Sequence, residues 1–410
     1  MTSAAPRILI AGTSFTFPYG QGAATRVYMY ARAFGFAGAR VAVASLVLPA
    51  EDAAVAAEIH AGVHHGIPFE HVCGKAGRPR SFWRRRLRKF AQVARMWRLV
   101  ARATSGPGCG AVLIYSASWT WIALLTVITR FHGGVALLDL CELPRPRELR
   151  GLRAALYRLG ERLFPRLPLD GVVVISSYLE EYVARGPRHT PTLRVPVMVD
   201  ADAFGASSAP SPSAVPRRIV YCGALGKYEE VQRAIRAFAA VAAGEPDVEL
   251  VLVGSGPDHR LEQAQELARA IGVESRVRFA GDTAREDLPA VFESAEVFVL
   301  PRPASLVAAA GLPNKLGEYL AAGRPVIVNA NGDIPRYLRD GVDAHVVDPD
   351  DEDAFVERLR SVLADRAAAA AMGARGRAVA AREFDYRVHA PRLLEFVERL
   401  WAERRRRGGQ

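Results

Sequence analysis

The apolar positions along the chain switch period many times. Short continuous runs, Arg7-Ile-Leu-Ile-Ala11, Arg40-Val-Ala-Val-Ala44, Ala111 to Tyr115, Val135 to Leu138 and Gly171 to Ile175, have the length of buried strands. Stretches with helical spacing separate them, and this alternation predicts a parallel, doubly wound sheet. A Gly/aromatic loop, Gly12 to Gly22, joins the first run to a helix expected to begin near Ala23.

The pattern breaks at Gly205 to Pro216, GASSAPSPSAVP, whose small residues, serines and prolines favour extended, solvated backbone. It then restarts. Arg218 to Cys222 reads as a strand, and Val231, Ala234, Ile235, Phe238 and Val241 form a helical stripe. Strand-like runs follow at Glu249 to Val253, Arg276 to Ala280, Val297 to Leu300 and Pro325 to Val328. A second Rossmann-like unit is expected, and 410 residues suit two domains of about 150 to 200 each. The expected division is residues 1–204, a linker over 205–217, a second domain over 218–385, and a C-terminal helix over 386–410 that crosses back to the first domain and ends in a basic tail. Ligands of open α/β sheets bind beyond the carboxyl ends of the strands, so two such domains are expected to face each other across a cleft that holds the chemistry.

Half of the residues are hydrophobic and 24% are charged, which excludes a disordered chain. Cys73, Cys109, Cys141 and Cys222 form no CxxC pair and have no interleaved histidines at zinc-site spacing, so a reducing compartment and no metal are expected. Met1 to Pro6 lacks signal-peptide character, and the longest apolar stretch, Trp119 to Thr129, is shorter than the ~20 residues of a membrane span. The expectation is a cytoplasmic protein. A net charge of +11 favours anionic partners without choosing among phosphates, lipids and nucleic acid.

The richest segment is Gly311-Leu-Pro-Asn-Lys-Leu-Gly-Glu-Tyr-Leu-Ala-Ala-Gly-Arg-Pro-Val-Ile-Val328, where a Gly/Pro loop enters a helix that ends near Gly323 before a strand. A helix N-terminus offers N–H groups and partial positive charge to a pyrophosphate, and Lys315 adds a full charge. Glu318, one turn on, suits a ribose diol. From residue types alone an exposed Lys/Glu helix pair is an equal alternative.

PNKLGEYLAAGRPVIV resembles the C-terminal-domain signature of glycosyltransferase family 4, retaining nucleotide-sugar glycosyltransferases of the GT-B fold. Leu252-Val-Gly-Ser-Gly-Pro257 resembles that family's glycine-rich turn, Val277-Arg-Phe-Ala-Gly281 its nucleobase border, and Gly22-Ala-Ala-Thr-Arg26 its first-domain glycine turn. The resemblance implies an N-terminal acceptor domain and a C-terminal nucleotide-sugar domain. It places the donor on Gly22, Gly223, Lys227, Gly254, Gly256, Phe279, Gly281, Pro313, Asn314, Lys315, Leu316 and Glu318, with no cofactor besides the donor substrate. Lys227 resembles the second of a basic pair that holds the donor phosphates, whose usual first arginine is Ala224 here. The earlier of the family's paired glutamates is likewise absent, because Ala310 stands eight positions before Glu318. A degenerate, non-catalytic partner of a transferase is therefore the alternative. Among enzymes, an inverting transferase or a nucleotide-sugar epimerase is the rival; a dinucleotide oxidoreductase is disfavoured by the lack of GxGxxG after the first strand.

The resemblance implies retention, with Lys227 and Lys315 stabilising the departing diphosphate and no protein nucleophile. In the first domain, Asp139 and Glu142 follow a strand and are expected on the cleft rim, where either could take an acceptor proton or bind its hydroxyls; a structural hydrogen bond is the alternative. Asp200-Ala-Asp202 and Asp348 to Asp353 imitate metal motifs but sit at a hinge and before a helix.

From Trp83 to Arg102 the residues Trp83, Leu87, Phe90, Val93, Ala94, Trp97 and Val100 form one apolar stripe among arginines. The stripe is expected to dock on the sheet, leaving the arginines to face an anionic membrane surface, a lipid-linked acceptor or a polyanion. Arg404 to Arg407 make a second basic cluster. Nucleic acid is a weaker candidate, with no recognisable binding motif. The expected partners are a nucleotide-diphosphate sugar, a hydroxyl acceptor of unknown identity and a membrane surface on the inner face.

Overall fold

The computed structural model describes residues 4–18, 20, 22–46, 61–72, 82–143, 160, 166–204, 216–225 and 230–408. The chain forms two compact units, Met1–Val195 with Tyr386–Gln410, and Pro196–Asp385. Each is built on a mainly parallel sheet.

The first unit contains β1 (Arg7–Gly12), β2 (Arg40–Ser45), β3 (Ala61–His64), β4 (Ile67–His71), β5 (Gly110–Tyr115), β6 (Val135–Leu140), β7 (Gly171–Val174) and β8 (Thr192–Arg194). Their order is β3-β4-β2-β1-β5-β6-β7-β8. Strands β5 and β6 are buried along their whole length, as expected of parallel strands covered on both faces. Covering helices are α1 (Gly22–Phe36), α2 (Phe82–Thr104), α3 (Trp119–Phe131) and α4 (Ser177–Ala184). Helix α4 starts where the Ser176 side chain accepts a hydrogen bond from the Leu179 amide.

The edge pair β3–β4 is antiparallel and was not legible in the hydrophobic pattern. Its turn places His65 at φ 46° and Gly66 at φ 80°. Two successive left-handed residues match the right-handed twist of a tight hairpin, so a His-Gly pair does here what Asn-Gly commonly does.

The second unit contains β9 (Arg217–Cys222), β10 (Val248–Val253), β11 (Val277–Gly281), β12 (Ala295–Leu300), β13 (Val326–Asn329) and β14 (His345–Val347), in the order β11-β10-β9-β12-β13-β14, all parallel. Its helices are α5 (Glu230–Ala242), α6 (Asp258–Ala270), α7 (Leu288–Glu293), α8 (Leu306–Ala310), α9 (Asn314–Ala321), α10 (Ile334–Tyr337), α11 (Glu352–Ala364) and α12 (Arg366–Val379). Strand order reverses at β9/β12, a topological switch point where ligands of doubly wound sheets collect.

The last helix, α13 (Tyr386–Gly408), belongs to the first unit. The Tyr386 hydroxyl accepts from Arg32 at 2.7 Å, and Arg404 donates to the Arg130 carbonyl at 2.7 Å. Arg404 is thus spent on packing, whereas Arg405 to Arg407 are exposed. Residues 196–204, expected in the first domain, join the second, where the Asp385 carboxylate accepts from the Ala201 amide at 3.1 Å. Most of the expected linker, 205–215, lies outside the described residues.

Helix α2 differs from the expectation. Met96, Val100 and Thr104 are buried, but Trp83, Leu87 and Phe90 face solvent. Of the stripe read from the sequence, Trp83, Leu87, Phe90, Ala94 and Trp97 are exposed, Val93 is half-buried and Val100 is buried, so docking uses the C-terminal half of the helix and the N-terminal part of the stripe faces outward.

Candidate functional site

Tyr319 ties helix α9 to the sheet. The Tyr319 ring stacks on Phe298 of β12, with centroids 4.2 Å apart and planes 9° apart. Its hydroxyl meets the backbone of Cys222, donating to the carbonyl at 2.9 Å and accepting from the amide at 2.6 Å. This ties the helix to the carboxyl end of β9, beside the switch point. One turn earlier in the helix, Lys315 arrives beside the Cys222 thiol.

Three side chains make an ion cluster there. Lys315 Nζ donates to Glu318 Oε2 at 2.8 Å, and Arg285 Nη1 lies 3.6 Å from Glu318 Oε1. Glu318 itself is buried. Burial opposes the charge on Lys315, but the Glu318 carboxylate and the Cys222 sulfur outweigh it, so the ammonium titrates above its ordinary value. Burial pushes the Cys222 thiol up, against the pull of Lys315. The cluster carries two cations and one carboxylate at the start of a helix, where the backbone dipole adds further positive character. Such an arrangement can receive an anion with more than one negative charge.

Arg285 was missed in the sequence. It lies in a 3-10 turn, Arg285–Asp287, after β11 and has no spacing relationship to the α9 signature.

The glycines of the strand-end loops have a packing role. The Gly223 amide donates to the Val253 carbonyl at 2.9 Å, Leu225 to Ser255 at 2.8 Å, and Gly254 to Gly281 at 2.7 Å. A side chain at Gly254 would overlap the Gly223 carbonyl, and one at Gly256 the Leu225 carbonyl. Gly254 also adopts φ 130°. These glycines therefore let three strand-end loops pack against each other. Phe279 is half-buried and Gly281 exposed at the end of β11. Pro313, Asn314 and Leu316 open α9, while Lys227 lies outside the described residues. Ala310 ends α8 with its methyl buried.

In the first unit, Asp139 is corrected. It does not stand on a rim but is buried, accepting from Arg26 Nε at 2.9 Å, Arg26 Nη2 at 2.9 Å and the Tyr30 hydroxyl at 2.7 Å. Burial raises the Tyr30 hydroxyl's pKa, and burial with the Asp139 charge pushes Cys141 up to about 12. A carboxylate with both oxygens occupied and no route to solvent is a poor proton acceptor; it holds α1 to β6. Gly22, at the start of α1, is placed by that same anchor four residues on. Glu142, beyond the strand end, is exposed. Asp351 caps α11 by accepting from the Ala354 amide at 2.8 Å, whereas Asp200 precedes the 3-10 turn Ala201–Ala203 and Asp202 lies within it.

The profile of the family described as "Glycosyl transferases group 1" matches residues 216–365, the span that contains the cluster. Among the curated relatives of this chain is the GDP-mannose-dependent alpha-(1-6)-phosphatidylinositol monomannoside mannosyltransferase of Mycolicibacterium smegmatis, 33% identical over 60% of this chain and 65% of that one. The D-inositol 3-phosphate glycosyltransferase of Salinispora tropica is 31% identical over 46% of this chain and 39% of that one. The match thus spans less than two thirds of either relative. Sucrose-phosphate synthase from Thermosynechococcus elongatus superposes with a TM-score of 0.71 at 20% identity, covering 97% of this chain and 100% of that chain. Anabaena HepE in complex with UDP gives 0.69 at 17% identity, covering 95% and 98%. The chain has the GT-B fold, two parallel-sheet α/β domains. Among its described residues no helix is long and apolar enough to cross a membrane.

Proposed function

We propose that the protein transfers a sugar, with retention, from a nucleoside-diphosphate sugar to an acceptor hydroxyl. The observation that carries this reading is the Lys315–Glu318–Arg285 cluster at the start of α9, a doubly cationic site inside the matched span. The diphosphate lies over the first turn of α9, with Lys315 and Lys227 on its oxygens. As the bond from the anomeric carbon to the phosphate oxygen breaks, negative charge grows on the leaving diphosphate, and cations already in place stabilise it without reorganising. The incoming hydroxyl gives its proton to that leaving oxygen on the same face. Glu318 leaves its ion partners in part to accept from the ribose hydroxyls. With Asp139 committed, Glu142 is the first-domain carboxylate left to bind the acceptor.

The curated relative's GDP-mannose and the UDP-glucose of an Anabaena HepE complex make these the first donors to try. The relative's lipid acceptor supports a glycolipid or polysaccharide precursor, met by a peripheral protein at an anionic membrane surface. The test is transfer to a panel of phosphatidylinositol mannosides and lipid-linked saccharides, with the product anomer read by NMR. An α-linked product from an α-linked donor supports the reading; an inverted product removes the retaining mechanism. Donor binding without transfer to any acceptor favours the non-catalytic partner, for which Ala310 is the structural argument.

A further inference from the structure

We infer that the outward face of α2 inserts into an anionic lipid surface. The inference rests on the peripheral part of the reading above and is independent of the donor chemistry. Trp83 is 72% exposed, Leu87 67% and Phe90 71%, on a helix whose later turns are packed through Met96 and Val100. Spacings of four and three residues put these three on one face, and Ala94 and Trp97 continue the row. The row does not end with the helix. Trp97 meets the Phe131 ring, centroids 5.5 Å apart, and Phe131 and Val127 of α3 are themselves exposed. Two helices thus share one apolar band.

Charge selects the occupant. The 23 residues of α2 contain no Asp or Glu. Arg86, Lys89, Arg95, Arg98 and Arg102 are exposed around the band. A protein partner would have to supply an apolar groove rimmed by carboxylates, whereas an anionic bilayer supplies phosphates at the level of the arginines and acyl chains just beneath. Long basic side chains can run their stems along the apolar band and keep their charge among head groups, and tryptophan favours that same boundary.

The experiment measures co-sedimentation of the full chain with phosphatidylcholine vesicles, with and without phosphatidylglycerol. Binding to the anionic vesicles only is expected, together with a blue shift of tryptophan emission in wild type that is reduced in Trp83→Ala. Leu87→Asp with Phe90→Asp should weaken binding at least about a hundredfold, since each side chain contributes about tenfold or more. Both positions are exposed, and an unchanged thermal midpoint confirms the fold. Glu318→Ala should bind vesicles like wild type, so a failed donor site and a failed membrane face give different results. Wild-type failure to bind anionic vesicles, or undiminished binding by the double aspartate variant, overturns the inference. A concentration-dependent dimer abolished by the same two substitutions, without vesicle binding, assigns the band to a second copy of the chain instead.

Discussion

Asp139 in the first unit and Glu318 in the second are both buried carboxylates near the carboxyl end of a parallel sheet, and both are paired with arginine. They differ in where their partners lead. The Asp139 side chain is 0% exposed and its Arg26 partner 2%, so the pair is sealed. The partners of Glu318 reach outward, Lys315 with 25% of its side chain exposed and Arg285 with 35%. A sealed pair can only hold structure together. A pair whose cations touch solvent can trade one partner for a ligand, and that exchange is what a binding site requires.

The strongest way to break the comparison is Asp139→Ala. Removing one member of a sealed pair leaves Arg26 charged and buried, and an unfolding free energy lower by about 3–5 kcal/mol is expected in urea titration. Replacing both members, Asp139→Leu with Arg26→Met, should recover much of that loss. If Asp139→Ala unfolds like wild type but loses activity, the residue belongs to the chemistry after all.

Glu318→Ala and Lys315→Ala test the other side. Each should reduce turnover at least about tenfold, or ~1.4 kcal/mol in the barrier, with a smaller effect on stability than Asp139→Ala. Near-wild-type turnover in both would remove the site assignment. Arg285→Ala should act more gently, raising the donor KM by about two- to fivefold, in keeping with the ≲1 kcal/mol of a half-exposed ion pair. Arg285→Lys should restore part of it.

The smallest effect concerns pH. The Lys315 ammonium titrates above its ordinary 10.5 because Glu318 and Cys222 outweigh burial. A raised folded pKa means the stabilisation is complete below 10.5 and fades as pH rises through the folded value. The difference in unfolding midpoint between wild type and Lys315→Met should therefore be flat through neutrality and shrink only in alkali. A difference that shrinks below pH 9 would mean the ammonium is not held as described.

Strands β1, β2, β5, β6, β9, β10, β12 and β13 were legible because parallel strands buried on both faces are continuous apolar runs. The edge hairpin β3–β4 was not, since one exposed face and a His-Gly turn give neither an apolar run nor a familiar turn pair. The α9 signature was legible because its lysine and glutamate are a local pair, three residues apart. Arg285 and the Arg26–Asp139 pair were not, because each joins residues far apart in sequence; Arg26 and Asp139 are separated by 113 positions. The arginine-rich stripe of α2 shows a further limit. Periodicity identifies an apolar face, but not whether the sheet or another surface covers it.

The central claim, that the start of α9 in the second unit binds a nucleoside-diphosphate sugar, is tested most directly by saturation-transfer NMR. Uridine, guanosine, thymidine and adenosine diphosphate sugars would be compared on wild type and Glu318→Ala. The account predicts transfer to the nucleotide of one donor in wild type and its loss in the variant; no transfer to any donor, or equal transfer in both proteins, would contradict it.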